Sequence, residues 1–185
     1  MIYRFKKLSI NGVYEIETPV VSDIRGTVSK DYDKNIFFSH GIEFVPQESL
    51  IISSKKNVLR GLHLQIVKEQ DRLVRCIAGS VYSVVVDCRG KSETVGKWIK
   101  VNINGGNEVY VPKGCAFGTL ALEDSKVLCR FGCNFFDSKY ATSVQWNDEE
   151  LGILWPINHD TVLVSEKDKN AMFFHELIEK SVCKI

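Results

Sequence analysis

The chain has 185 residues, 44% of them apolar and 25% charged, and 24 Lys+Arg against 23 Asp+Glu leave a formal charge of +1. That balance fits one folded domain over residues 1–185, excludes a largely disordered chain, and lacks the basic excess of a nucleic-acid binder. No apolar run approaches the ~18 residues of a membrane span, and the opening MIYRFKKLSING has no apolar signal core.

A cytoplasmic protein is therefore expected. Its six cysteines (Cys76, Cys88, Cys115, Cys129, Cys133 and Cys183) are expected to be reduced and mostly buried.

In chain order, residues 58–65, 72–87, 95–103, 107–112 and 117–136 are rich in Val, Ile, Leu, Phe and Tyr, with glycines between them. Short β-rich runs separated by turn signals predict an all-β sandwich or barrel, most simply a jelly roll. Ala78-Gly79-Ser80 predicts a hairpin or bend, and NINGGNE (102–108) a turn. Near the end, SEKDKNAMFFHELIEKSV (165–182) predicts one helix capped by Ser165, with a stripe of Phe173, Phe174, Leu177 and Ile178 packed on the barrel.

Candidate chemistry centres on His63 in VLRGLHLQ. Strict strand alternation puts His63 on a face with Leu59, Gly61 and Gln65, and turns Arg60, Leu62 and Leu64 the other way. Gly61 leaves room for a ligand. The strand alone fits a satisfied barrel histidine equally well. No H-x-H or H-x-E spacing accompanies it, so a metal-binding cupin site is not expected.

Arg25, Arg60, Arg72, Arg75, Arg89 and Arg130 fall in or near the β-rich segments. Their rigid donor forks suit diphosphate or carboxylate, although any single one reads first as a solvated strand residue. Asp168 reads locally as an acidic residue favoured by a helix N-terminus. Trp98, Trp146 and Trp155 are expected in core or interface.

VLRGLHLQ, QDRLVRCIAGSVYSVVVDCR, SETVGKW, NEVYVPKG, SVQWNDEELGILWP and LVSEKD, in that order, together with VVSDIRGTVSK, resemble the dTDP-4-dehydrorhamnose 3,5-epimerases over residues 13–170. The resemblance implies a cupin-type jelly-roll homodimer. Its members act on nucleotide-linked 4-keto-6-deoxy sugars for a bacterial polysaccharide, without metal or redox cofactor. An edge strand such as residues 13–20 would cross to the partner.

Residue by residue, the resemblance makes His63 the base and Asp168 the carboxylate that orients it. It puts Arg25 and Arg60 near the diphosphate, and Arg72 where a lysine usually faces the keto oxygen. Gln65, Phe117 and Ser83 complete the substrate-binding set.

The chain departs from the pattern. The acid tyrosine is replaced by Cys129 or Arg130, a histidine by Phe117 and an aspartate by Ser83. Lys30 and Phe135 stand where an acidic residue and a tyrosine are usual. These changes predict epimerisation at a single centre, C3, of a dTDP-, CDP- or GDP-linked sugar, with protonation by Cys129, water or another group. The alternatives are a full 3,5-epimerase using Tyr82 or Tyr140 as acid, and a catalytically silent nucleotide-sugar binder.

Overall fold

The protein is described here as a computed structural model covering residues 2–182. Two facing sheets form the jelly-roll barrel. The first runs β1 (Arg4–Lys7), β2 (Tyr14–Glu17), β10 (Asn107–Val111), β7 (Arg72–Ala78), β12 (Ser125–Gly132), β5 (Pro46–Ser54). The second runs β13 (Ala141–Ser143), β6 (Val58–Gln65), β11 (Cys115–Ala121), β8 (Val81–Asp87), β9 (Trp98–Ile103), with β14 (Leu163–Val164) parallel to β6. A separate hairpin joins β3 (Val20–Asp23) to β4 (Gly26–Ser29).

Strand alternation divides the apolar residues among three layers. Between the sheets lie Val74, Val109, Val111 and Val127 from the first and Val81, Val85, Val101 and Phe117 from the second. Tyr82, Val84 and Val86 point outward from β8 and are covered by Trp146, Leu151, Trp155, Phe174 and Leu177. On the outer face of the first sheet, Leu73 and Ile16 are covered by Tyr3, Phe44 and Phe37. Phe37 comes from α1 (Lys34–Ser39), whose N-cap Asp33 accepts from the Asn35 and Ile36 amides. That helix is too short to stand out as a periodic pattern.

The sharp turn between β7 and β8 requires Gly79. Its φ is +74°, and an added Cβ would lie 2.5 Å from the Asp124 carbonyl oxygen. The expected bend is therefore a glycine turn packed against backbone.

Two expectations are corrected. The single helix over 165–182 is two, α2 (Glu166–Lys169) and α3 (Phe174–Val182). Ser165 caps α2 as predicted, its Oγ accepting from the Asp168 amide at 3.2 Å. The chain then leaves the helix because tertiary partners take its backbone groups. The Gln145 amide donates to the Met172 carbonyl, and the Phe174 amide donates to Asp148 at 2.7 Å.

The second correction concerns the exposed segment. Within residues 13–20, β2 is an interior strand between β1 and β10. The unpartnered element is the β3–β4 hairpin, every residue of which is exposed.

Of the cysteines, Cys76, Cys88, Cys115 and Cys129 are buried free thiols and Cys133 is exposed and free. Cys183 lies outside the described residues. Among the described residues no helix is long and apolar enough to cross a membrane.

Candidate active site

One mouth of the barrel opens into a cavity of about 280 Å3, walled by β6, β11 and β13 on one side and β5, β7 and β12 on the other. His63, Arg60, Arg72, Phe117, Cys129 and Phe131 line it.

β6 does not alternate strictly. Opposite it, β11 advances from Phe117 to Thr119 while β6 advances from His63 back to Arg60, so β6 carries one extra residue. Such a bulge reverses the facing of everything beyond it. Arg60 therefore faces the cavity with His63, while Leu59 and Leu62 both go to the outer core. The expectation that Arg60 and His63 face apart is wrong for this reason. Gly61 makes the bulge possible: its φ is +135° and an added Cβ would lie 2.5 Å from Gly118 Cα.

His63 Nε2 lies 2.7 Å from Asp168 Oδ1, and Asp168 Oδ2 accepts from the Gly61 amide at 3.3 Å. The carboxylate side chain is only 5% exposed, against 42% for the imidazole. Burial raises the Asp168 pKa, but hydrogen bonding and charge attraction to His63, with the Gly61 amide, outweigh it and hold the carboxyl below its ordinary value. Asp168 is thus an anion that fixes the imidazole tautomer, and among the described residues Nδ1 has no protein partner.

On the opposite wall, Arg72 is 6% exposed and its Nε has no hydrogen-bond partner. No carboxylate pairs with its guanidinium among the described residues. Instead it lies between two rings, with Cζ 5.8 Å from the Phe117 centroid and 5.5 Å from the Phe131 centroid. Burial pushes its pKa down, but arginine remains a cation.

Strand alternation resolves the position left open between Cys129 and Arg130. Cys129 faces the cavity, while Arg130 points out of the barrel to Asp31. Burial pushes the Cys129 thiol up to about 12, so it is neutral at physiological pH.

The remaining predicted residues divide. Gln65 lines the cavity, but its amide is used elsewhere: Nε2 donates to the Lys68 and Phe135 carbonyls, and Oε1 accepts from the Asp137 amide at 2.8 Å. It shapes the 135–137 segment and has little capacity left for substrate. Ser83 does not reach the cavity; fully buried, it donates to the Val101 carbonyl at 2.6 Å. Arg25 does not reach it either, because it sits on the exposed hairpin paired with Asp23.

Arg60 sits at the rim, donating to Ser54 Oγ and the Ser53 carbonyl. Arg75, Arg89 and Arg130 bond groups outside the cavity. Lys30 pairs with Asp33, and Phe135 is exposed. The Tyr82 hydroxyl is spent on the Leu154 carbonyl behind the second sheet, and Tyr140 is not a cavity residue.

The sequence reading missed Phe131. Alternation along Val127, Cys129 and Phe131 was the signal that could have found it.

A family model described as dTDP-4-dehydrorhamnose 3,5-epimerase matches residues 7–176. The chain is 36% identical to the dTDP-4-dehydrorhamnose 3,5-epimerase of Methanothermobacter thermautotrophicus, covering 91% of this chain and 92% of that protein. Its fold matches the crystal structure of a dTDP-6-deoxy-D-glucose-3,5-epimerase from Legionella pneumophila in complex with dTDP-4-keto-L-rhamnose. The TM-score there is 0.89, at 28% identity over 95% of this chain and 97% of that one. It also matches a 3'-monoepimerase from Streptomyces bikiniensis in complex with dTDP-quinovose, at TM-score 0.86 and 27% identity over 95% and 90% of the two chains.

Proposed function

Because the chain belongs to the dTDP-4-dehydrorhamnose 3,5-epimerase family and is a nucleotide-sugar epimerase, we propose that it inverts one centre, C3, of a dTDP-linked 4-keto-6-deoxy sugar. The observation that carries this reading is the unequal equipment of the two cavity walls. One wall holds the His63–Asp168 dyad; the other holds a cation and a thiol, and no tyrosine. The similarity to both a 3,5-epimerase and a 3'-monoepimerase is compatible with it.

The C4 ketone acidifies the C3 proton, which His63 removes through Nδ1. The C–H electron pair moves into the C3–C4 bond, and charge collects on the C4 oxygen. Asp168 stabilises the imidazolium that forms. Arg72 faces the oxyanion, where a desolvated cation acts most strongly. Cys129, on the far wall, donates its S–H proton to the opposite face of C3. A thiol near 12 is a weak acid but stronger than water. Solvent then reprotonates the thiolate and takes the proton from His63. Arg60 holds the diphosphate at the rim.

The β3–β4 hairpin supports a homodimer. Its Val20, Val21, Ile24 and Val28 are all exposed, which a stable monomer would not leave uncovered. In this reading the hairpin crosses to a second copy and carries Arg25 into the partner's cavity. An Arg25→Ala and His63→Ala mixture then recovers about a quarter of wild-type activity by forming hybrid sites. No recovery places Arg25 in the cavity of its own subunit, and an Arg25→Ala protein as active as wild type places it outside catalysis.

The central test is proton NMR in D2O with dTDP-, CDP- and GDP-linked 4-keto-6-deoxy sugars. Deuterium enters C3 alone of the dTDP sugar, and His63→Ala abolishes it. Label at C3 and C5 makes the protein a full 3,5-epimerase, and no label in any sugar makes it a binding module. Cys129→Ser slows inversion about tenfold while C3 exchange persists; unchanged turnover dismisses the thiol as acid.

A further inference from the structure

Among the described residues Arg72 is a buried cation with no carboxylate in ion-pair contact, the adjacent Asp71 acting on it only through space, an arrangement that folding alone does not favour. Its surroundings explain how it is held. Phe131 is its direct cross-strand neighbour, β12 against β7. Phe117 reaches the guanidinium from the opposite sheet. On β11, Phe117 is also the in-register neighbour of His63. Phe117 is thus a neighbour of both the imidazole and the guanidinium, and the guanidinium a neighbour of both rings.

Aromatic faces attract a guanidinium and leave its edge donors unused. Hydrogen-bonded partners would occupy those donors, and a carboxylate would cancel the charge. Two rings do neither. They cover the cation, and Phe117 also neighbours two groups that are both positive once His63 has taken a proton.

We propose that Phe117 and Phe131 are positioning residues that clamp Arg72 as the oxyanion-stabilising cation of this site, with Phe117 also separating that cation from His63. The inference rests on the epimerase reading above, and it concerns residues that would not themselves react. A lysine in place of Arg72 keeps the charge but has no planar face to clamp.

Two measurements test it. The first needs no substrate: the 15N-detected Nε–H of Arg72 in the intact protein. The clamp predicts slow solvent exchange relative to the exposed Arg4, accelerated about tenfold or more in Phe131→Leu and restored in Phe131→Tyr, which keeps the ring. Exchange as fast as that of Arg4, or unchanged in Phe131→Leu, overturns the clamp whatever the protein catalyses.

The second is a double-mutant cycle on C3 inversion. Phe131→Leu and Arg72→Lys each lower kcat about tenfold with KM within about twofold, and the double variant is no worse than Arg72→Lys alone. Multiplying effects overturn the proposal, as does a loss confined to KM. Wild-type protein without exchange at any carbon, beside a slowly exchanging Nε–H, rejects the epimerase reading and leaves the clamp standing. A thermal melt of each variant separates misfolding from either result, and Phe131→Tyr serves as the folded control.

Discussion

Two strands carry buried arginines to both faces of the same sheet, and the two faces treat them differently. β7 sends Arg72 into the barrel and Arg75 out of it; β12 sends Cys129 in and Arg130 out. On the outer face, Arg75 donates to Thr18 Oγ1 at 2.9 Å, Ser29 Oγ at 3.0 Å and the Gly105 carbonyl at 2.6 Å, and Arg130 pairs with Asp31. These bonds tie the base of the β3–β4 hairpin to the sheet. On the inner face, Arg72 Nε has no partner. Arg130 Nη1 is also without a partner, but Arg130 has its anion, and a buried cation with an anion or several acceptors holds structure together. One with neither anion nor acceptor, beside a cavity and a histidine hydrogen-bonded to a carboxylate, has what meeting a charge that appears only during reaction requires.

The largest expected effect is on the inner face. Asp168→Asn lowers kcat roughly 10²- to 10⁴-fold, because the neutral amide neither fixes the tautomer nor stabilises the imidazolium. Ser165 still caps α2 through the Asp168 backbone amide, so the helix survives the change. A variant with near-normal kcat, measured by C3 inversion, would remove the dyad from the mechanism.

Arg75→Met is the matching change on the outer face. It removes the donors to Thr18 Oγ1, Ser29 Oγ and the Gly105 carbonyl and costs about 3 kcal/mol of stability, read by urea unfolding, with kcat of the folded fraction near wild type. If kcat fell instead and stability held, the division between the faces would be wrong.

How much of this was legible follows from the same strands. The bounds of β6 coincide with the run Val58–Gln65: Lys55-Lys56-Asn57 precede it, and the chain turns at Asn57 and Val67, whose φ values are +68° and +74°. The facing of its side chains was not legible, because one extra residue at a glycine inverts it and leaves no compositional mark. The dyad pairs residues far apart in sequence, and nothing local distinguishes Asp168 from any acidic residue in a first helical turn. Six arginines were visible. Only contacts across the barrel separate Arg72, facing a cavity, from Arg75, Arg89 and Arg130, which serve structure. Arg89, for example, joins Ser92 and Thr94 around Asp87. Burial opposes ionisation there, but those three donors prevail and lower the Asp87 pKa to about 2.

The smallest expected effect also discriminates the faces most sharply, because it concerns the sign of a pH dependence. Glu108 lies on the outer face, in register with Arg75, fully buried, with neither carboxylate oxygen hydrogen-bonded. Burial, reinforced by Asp31, pushes its pKa well above the ordinary 4.5, against the pull of Arg130 and Arg75. Burial, reinforced by Glu108, Asp33 and Asp31, pushes the neighbouring Tyr3 hydroxyl up to about 12. The folded protein therefore keeps the Glu108 proton at pH values where the unfolded chain has released it. Its contribution to stability is complete below pH 4.5 and declines as pH rises from there towards the folded value. Asp168 has the opposite sign: its lowered pKa stabilises the fold above the ordinary carboxyl range and loses that contribution as pH falls. Glu108→Gln has no proton to release, so its melting temperature relative to wild type climbs as pH is raised from 4.5, while Asp168→Asn falls further behind wild type as pH rises towards the ordinary 3.8 and holds level above it. A Glu108→Gln difference that is flat with pH would mean that Arg75 and Arg130 hold Glu108 ionised, making the outer face a charged network of paired groups.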